Sequence, residues 1–253
     1  MKSKPLFQLL LAAAVLMTNA VGAAEPTGRE LIEHVESTLW GKSNQGVSEM
    51  EVITPSWQRK LQLHFWMVRP KRTFIRIDAP AKEAGIGSLR IEDEMWNYLP
   101  KIERVIKIPP SMMLQPWMGS DLTNDDLVKE SSAVEDYDHT LRSTEEVDGH
   151  KAYRVDSIPK PDAAVVWGKL VYTIRTDNRL PLRVDYYDER GELIKVLRYE
   201  DERAMSGRVI PTRWVVQPKD KPGHRTVFVI KEIAFDTPIA DSIFSLRNLQ
   251  RRR

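Results

Sequence analysis

The sequence contains no cysteine. That excludes disulfides, a thiol nucleophile, thiolate zinc sites and the acylated N-terminal cysteine of a lipoprotein. It also lacks an excess of one charge: 38 Lys+Arg against 36 Asp+Glu leave a net charge of +2. A dedicated nucleic-acid binder usually carries a clear basic surplus. The five histidines, His34, His64, His139, His150 and His224, share no ligand spacing. H-E-x-x-H, G-x-S-x-G, phosphate-loop and G-x-G-x-x-G patterns are all missing. Gly85-Ile86-Gly87 reads as a turn and Glu92-Asp93-Glu94 as a hairpin tip. The Asp121…Asp125-Asp126 group lacks the loop glycine and terminal glutamate of a calcium loop. Nothing selects a carboxylate pair for glycoside hydrolysis, although such pairs can lie far apart in sequence. The expectation is a protein that is not an enzyme and has no metal or cofactor.

Only one long apolar run is present. Lys2 and Lys4 precede Leu6 to Met17, and the small residues Ala20-Val21-Gly22-Ala23-Ala24 follow. A basic start, an apolar core of about 7–15 residues and an A-x-A-like end describe a secretory signal peptide. The run falls short of the roughly 20 residues that a membrane span needs. Residues 1–24 are therefore read as a signal peptide cut after Ala23 or Ala24. Its removal takes Lys2 and Lys4 with it and equalises the charges. Residues 25–253 are read as one exported, soluble, monomeric domain. The terminal Arg251-Arg252-Arg253 reads as a solvated tail, with contact to anionic lipid as the alternative.

The mature chain opens on one helix. Thr27 followed by Glu30 fits a capping box, Leu31, Ile32, Val35 and Leu39 recur at helical spacing, and Gly41 supplies a stop. From Gly46 onward the period becomes two. In Lys60–Val68, Leu61, Leu63, Phe65 and Met67 alternate with Gln62, His64, Trp66 and Val68. Further short strands are expected near Val47–Thr54, Thr73–Asp78, Ser88–Glu92, Met95–Leu99 and Arg104–Ile108. After these come Tyr137–Thr144, Lys151–Ile158, Lys169–Arg175, Arg183–Asp188, Leu193–Tyr199, Thr212–Gln217 and Thr226–Phe235. Turn signals such as Asp148-Gly149, Asp177-Asn178 and Arg190-Gly191 separate them. The spacing, without intervening helices, implies a mainly β protein with an antiparallel sandwich or barrel.

Pro109 to Glu130 breaks this rhythm. Met112, Met113, Leu114, Trp117 and Met118 lead into Gly119-Ser120-Asp121, and Ser120 or Asp121 could cap a short helical turn through Asp125 to Val128. A loop of this length is usually functional or disordered, and this one is too apolar for disorder. It reads either as folded over the sheet or as a docking surface. Strands with large apolar residues on both faces can pack one face on the opening helix. The other face then needs a second cover, a ligand or a partner. Methionine and tryptophan suit an adaptable apolar pocket. Burying an acyl chain there would gain about 0.8 kcal/mol per CH₂. The candidate ligand-binding residues are Leu61, Leu63, Phe65, Met67, Met112, Met113, Leu114, Trp117 and Met118. A charged residue in place of Trp117 or Met113 should weaken binding while leaving the fold intact.

Several segments resemble a known family. Met95-Trp96-Asn97-Tyr98-Leu99-Pro100, Trp117-Met118-Gly119-Ser120-Asp121-Leu122-Thr123-Asn124-Asp125-Asp126-Leu127, Gly207…Ile210-Pro211-Thr212 and Asp241…Phe244-Ser245…Leu249 are similar to an uncharacterised LolA-like branch of the LolA/LolB outer-membrane lipoprotein-sorting proteins. That resemblance implies an unclosed antiparallel β-barrel, a half-barrel whose hydrophobic cavity is covered by a helical lid. It implies a periplasmic carrier taking lipid or lipid-modified protein from the inner to the outer membrane. It also implies an inner-membrane exporter of the resistance-nodulation-division or lipoprotein-releasing type as partner. The alternative is a regulatory or sensor module on the same fold, binding a membrane-protein partner.

Overall fold

A computed structural model describes residues 25–129, 133–163 and 165–251. The signal peptide read at 1–24, and Arg252 and Arg253 of the basic tail, lie outside the described residues. Helix α1, Gly28–Trp40, begins as its sequence requires. The Thr27 side chain accepts from the Glu30 amide at 3.2 Å, and the Glu30 carboxylate accepts from the Thr27 amide at 2.7 Å. Two backbone donors that the helix cannot satisfy are thereby paired. Leu31, Ile32, Val35, Leu39 and Trp40 form the buried stripe, and Gly41, at φ 61°, ends the helix.

Thirteen strands follow among the described residues. They are β1 (Ser43–Ile53), β2 (Gln58–Val68), β3 (Arg72–Ala79), β4 (Gly87–Ile91), β5 (Glu94–Leu99), β6 (Arg104–Ile108), β7 (Tyr137–Val147), β8 (His150–Pro159), β9 (Lys169–Arg175), β10 (Pro181–Tyr187), β11 (Leu193–Met205), β12 (Arg208–Pro218) and β13 (Arg225–Phe235). Every strand read from the period-two pattern is present. Several run longer than that pattern, and β1 begins at Ser43 rather than Val47. The added residues, such as Ser43-Asn44-Gln45 and Glu200-Asp201-Glu202, are polar, so hydrophobic alternation carries no trace of them.

All thirteen strands join one antiparallel sheet in the order β6-β5-β4-β3-β2-β1-β13-β12-β11-β10-β9-β8-β7. Two meanders are thus stitched together where β1 pairs with β13. At the bulge in that pairing a Cβ on Gly46 would lie 2.0 Å from the Glu232 carbonyl oxygen, so only glycine fits. The sheet does not close, because β6 and β7 are its two free edges. The polypeptide between those edges carries a 3-10 turn at Pro110–Met112, another at Trp117–Gly119, and helices α2 (Asn124–Lys129) and α3 (Ala133–Asp136). It covers the inner face.

The two faces are filled differently. On the inner face α1 and α3 pack against Val155, Leu170, Ile174, Val184 and Leu197 of one meander. The connector packs Trp117 and Leu127 against Met50, Leu61, Leu63, Ile77 and Met95 of the other. On the outer face Phe74, Leu89 and Tyr98 are covered by Phe244 and Leu249. These last residues come from the C-terminal 3-10 turn Asp241–Ile243 and α4 (Leu246–Leu249). Trp66 and Val68, whose face needed a second cover, pack in that outer cluster. The chain's own C-terminal segment supplies the cover there.

Below α3, the His139 ring on β7 shares a 2.7 Å hydrogen bond with the Ser157 hydroxyl. Burial pushes its pKa from 6.5 down to about 4, with Arg29 and Lys160 adding to the effect against the backbone of Ala133 and Val134. The folded state therefore binds this proton less readily than the unfolded chain, and stability should fall as pH drops from 6.5 towards 4. Replacing His139 with glutamine should flatten that part of the profile. Urea midpoints measured across the interval for both proteins check this.

Candidate functional site

The inner face holds two small cavities on either side of Trp40. One, of about 90 Å³, is walled by Leu63, Phe65 and Met67 of β2, Phe228 and Ile230 of β13, and Trp117 of the connector. The other, of about 50 Å³, lies between α1 and β9–β11 and is walled by Trp167, Tyr172, Tyr186 and Tyr199. Trp40 and Trp214 meet edge to face at 5.1 Å, and Tyr199 meets Trp214 in the same way at 5.4 Å. Aromatic pairs in this geometry give rigid apolar walls.

The connector acts as a lid pinned to the sheet at several points. Trp117 is 1% exposed, and its Nε1–H donates to Ser88 Oγ on β4 at 2.9 Å. That hydroxyl donates onward to Asn97 Oδ1 on β5 at 2.6 Å. Met118 at φ 49° and Gly119 at φ 68° reverse the chain, and the Met118 carbonyl accepts from Arg59 of β2. Ser120 Oγ donates to the Trp117 carbonyl at 2.7 Å and accepts from the Leu122 amide at 3.2 Å, closing the turn. Asp121 binds Thr226 of β13 twice, through its amide at 2.9 Å and its carboxylate at 2.8 Å. The W-M-G-S-D segment is therefore docked on β2, β4 and β13 through Trp117, the Met118 carbonyl and Asp121.

The cap of α2 is Thr123, not Ser120 or Asp121. Thr123 Oγ1 accepts from the Asp126 amide at 3.1 Å, and Asp126 Oδ2 accepts from the Thr123 amide at 2.6 Å. Asp126 also reaches the sheet, pairing with Lys195 of β11 and accepting from Trp167 Nε1 at 3.1 Å. At the other end of the lid, Glu36 of α1 accepts from the Val134 amide of α3 at 3.0 Å and pairs with Arg69. Burial pushes the Glu36 pKa up, against the lowering effects of Arg69 and of the Val134 and Ala133 amides. Burial likewise raises Tyr137, reinforced by the carboxylates of Asp125, Asp136 and Asp126.

The nine residues picked from sequence divide three ways. Leu63, Phe65, Met67 and Trp117 meet around the larger cavity, and Leu61 packs beside them in the same cluster. Met113 and Met118 lie half-buried against that cluster. Met112 and Leu114, at 42% and 58% exposure, point away from it. A charge at Trp117 would disturb core packing as well as the cavity, whereas Met113 remains a position where the lid can be changed more gently. Sequence reasoning missed Trp40, Trp214, Phe228, Ile230, Trp167 and Lys195. Trp214, Phe228 and Ile230 sit in strands that were read correctly. Only the β1–β13 and β12–β13 pairings bring them round to face β2.

Among the described residues no group of three or more His, Asp or Glu side chains is placed to hold a metal ion. None of their helices is long and apolar enough to cross a membrane.

In fold, this unclosed antiparallel sheet is similar to solved structures described as a LolA superfamily protein and as a domain of outer membrane lipoprotein sorting. A LolA superfamily protein from Nitrosomonas europaea has a TM-score of 0.77 at 20% identity, over 88% of this chain and 100% of that one. A domain assigned to outer membrane lipoprotein sorting, from Vibrio parahaemolyticus, gives 0.78 at 20% identity, over 88% and 98%. A DUF1329 family protein from Desulfovibrio piger gives 0.80 at 25% identity, over 88% and 97%. Residues 69–251 match the model of a family described as that of an uncharacterized protein, and the chain belongs to this family. No curated protein matches the sequence.

Proposed function

We propose that the protein is a periplasmic carrier that binds the acyl chains of a lipid or lipid-modified protein between its lid and its sheet. It passes this cargo between membranes without catalysing a reaction. The observation that carries the reading is the cavity behind Trp117, whose walls are almost wholly apolar and whose cover is held by the packing of Trp117 and Leu127 together with a few polar contacts. A drug-sized ligand needs a pocket of about 300–1,000 Å³. At about 90 Å³ the cavity is in a closed form, and cargo entry requires the lid to swing away. Transfer then follows differential affinity, with chains moving to whichever partner buries them better. The likeness in fold to the Vibrio and Nitrosomonas proteins supports this reading.

The exposed Met112 and Leu114 on the lid suit contact with an inner-membrane exporter that loads or unloads the carrier. The direct test is to purify the exported protein from its own host and analyse an organic extract by mass spectrometry. About one equivalent of acyl-chain species per protein is expected. A lipid-free protein that also takes up no amphiphile in vitro would overturn the reading and leave the sensor module on this fold as its replacement.

A further inference from the structure

One buried ion pair joins the lid to the sheet. The side chains of Lys195 and Asp126 are 4% and 5% exposed. The Lys195 ammonium lies over the rings of Trp167 at 4.5 Å and Tyr186 at 4.6 Å, and the Trp167 Nε1–H points at the same carboxylate. Two donors fixed to the scaffold, one charged and one neutral, thus converge on an acid that belongs to the moving part. An open groove of about 300 Å³, walled by Leu122, Val166, Trp167, Ile194 and Lys195, reaches them from outside.

The asymmetry between the partners decides what the pair is for. When the lid swings away, Asp126 leaves with α2, and Lys195 stays over the rings of Trp167 and Tyr186 without that carboxylate. A buried charge stripped of its partner is strongly unfavourable. Lid opening is therefore opposed unless another anion takes the carboxylate's place. We infer that Lys195 and Trp167 form a receptor for the anionic head, a phosphate or carboxylate, of an amphiphilic cargo, with Asp126 as its internal substitute in the closed form. This rests on the carrier reading and narrows its cargo. A cationic amphiphile would instead need Asp126 to remain in the cavity, which lid movement forbids. The groove's rim carries Asp121, Asp188 and Asp220 against Lys221, so an anionic head would be held by Lys195 and Trp167 and not by the rim.

The test compares dodecyl phosphate, dodecyl maltoside and dodecyltrimethylammonium, each below its micelle concentration, by calorimetry on the purified full-length protein. The phosphate should bind more tightly than the maltoside by about tenfold, equivalent to about 1.4 kcal/mol, and the cation more weakly than either. Lys195→Met should abolish the preference while keeping maltoside binding. Asp126→Asn, whose one amide oxygen still accepts from either Thr123 or Trp167, should strengthen phosphate binding by a similar factor. The double variant carries neither charge and should fold and bind without preference, so loss of the single methionine variant to misfolding would not spare the inference. Equal binding of dodecyl phosphate and maltoside by the wild type, or tighter binding of the cation, would overturn it while leaving the carrier intact. Failure of all three probes would instead count against the carrier. Inorganic phosphate alone should not compete; if it displaces dodecyl phosphate, the receptor serves a free anion and the cargo assignment is wrong.

Discussion

Replacing Trp117 by alanine should lower the unfolding free energy by about 3–5 kcal/mol, the range for removing a buried tryptophan. Its ring is 1% exposed and packs with Met50, Leu61, Leu63, Ile77 and Met95, residues drawn from four strands. Removing it forfeits those contacts and enlarges a cavity that already stands open beside them. The melting temperature should drop by about 6–20 °C on the scale of 2–4 °C per kcal/mol that applies to chains of 150–250 residues. Trp117→Phe keeps an aromatic ring but loses part of the indole's volume as well as the bond to Ser88 Oγ, whose hydroxyl still donates to Asn97, so a smaller loss than that of alanine, about 1–3 kcal/mol, is expected. Urea denaturation followed by far-UV circular dichroism reads both. A loss below about 1 kcal/mol for the alanine variant would mean that the lid is not part of the cooperative unit and opens as a separate, weaker segment.

The strands were legible because local chemistry specifies them. Leu61, Leu63, Phe65 and Met67 repeat with the pleat, Gly149 and Gly191 take positive φ at hairpin turns, and Thr27 with Glu30 closes the cap. The half-barrel itself was legible only through resemblance, since the pairing of β1 with β13 joins residues some 180 positions apart and leaves no local mark. The same applies to the cover of the outer face. Phe244 and Leu249 lie in turns too short for a helical or strand period to show. Within the connector, five bulky apolar residues over seven positions look equivalent in sequence. Trp117 is buried and Leu114 exposed because the turn at Met118 and Gly119 sets which side chain faces the sheet. Lys195 was invisible for a different reason. It lies in a strand among Ile194 and Val196, where a single lysine reads as a solvated position until Asp126 and Trp167 arrive from two other segments.

Glu36→Ala should cost about 3–5 kcal/mol, as expected when one member of a buried ion pair is removed. The glutamate joins three segments: it lies on α1, pairs with Arg69 just beyond β2, and accepts from the first turn of α3 where the lid returns to the sheet. Alanine would leave the Arg69 guanidinium without its carboxylate and the Val134 amide without its acceptor. Two explanations of the loss can be told apart. If loss of the ion pair dominates, Glu36→Leu combined with Arg69→Met should recover most of the stability, because replacing both members of such a pair by apolar residues is often near neutral. If capping of α3 dominates, the double variant should remain as weak as the single one, and Glu36→Gln, which still accepts from Val134, should be the milder change. The pH dependence gives a second readout. Burial holds the folded-state pKa of Glu36 above 4.5, so the folded protein keeps this proton longer than the unfolded chain, and this group makes stability fall as pH rises from 4.5. His139 pulls the other way over pH 4 to 6.5, beneath the same short helix. Glu36→Ala should therefore steepen the rise in stability with pH in that interval, and His139→Gln should flatten it.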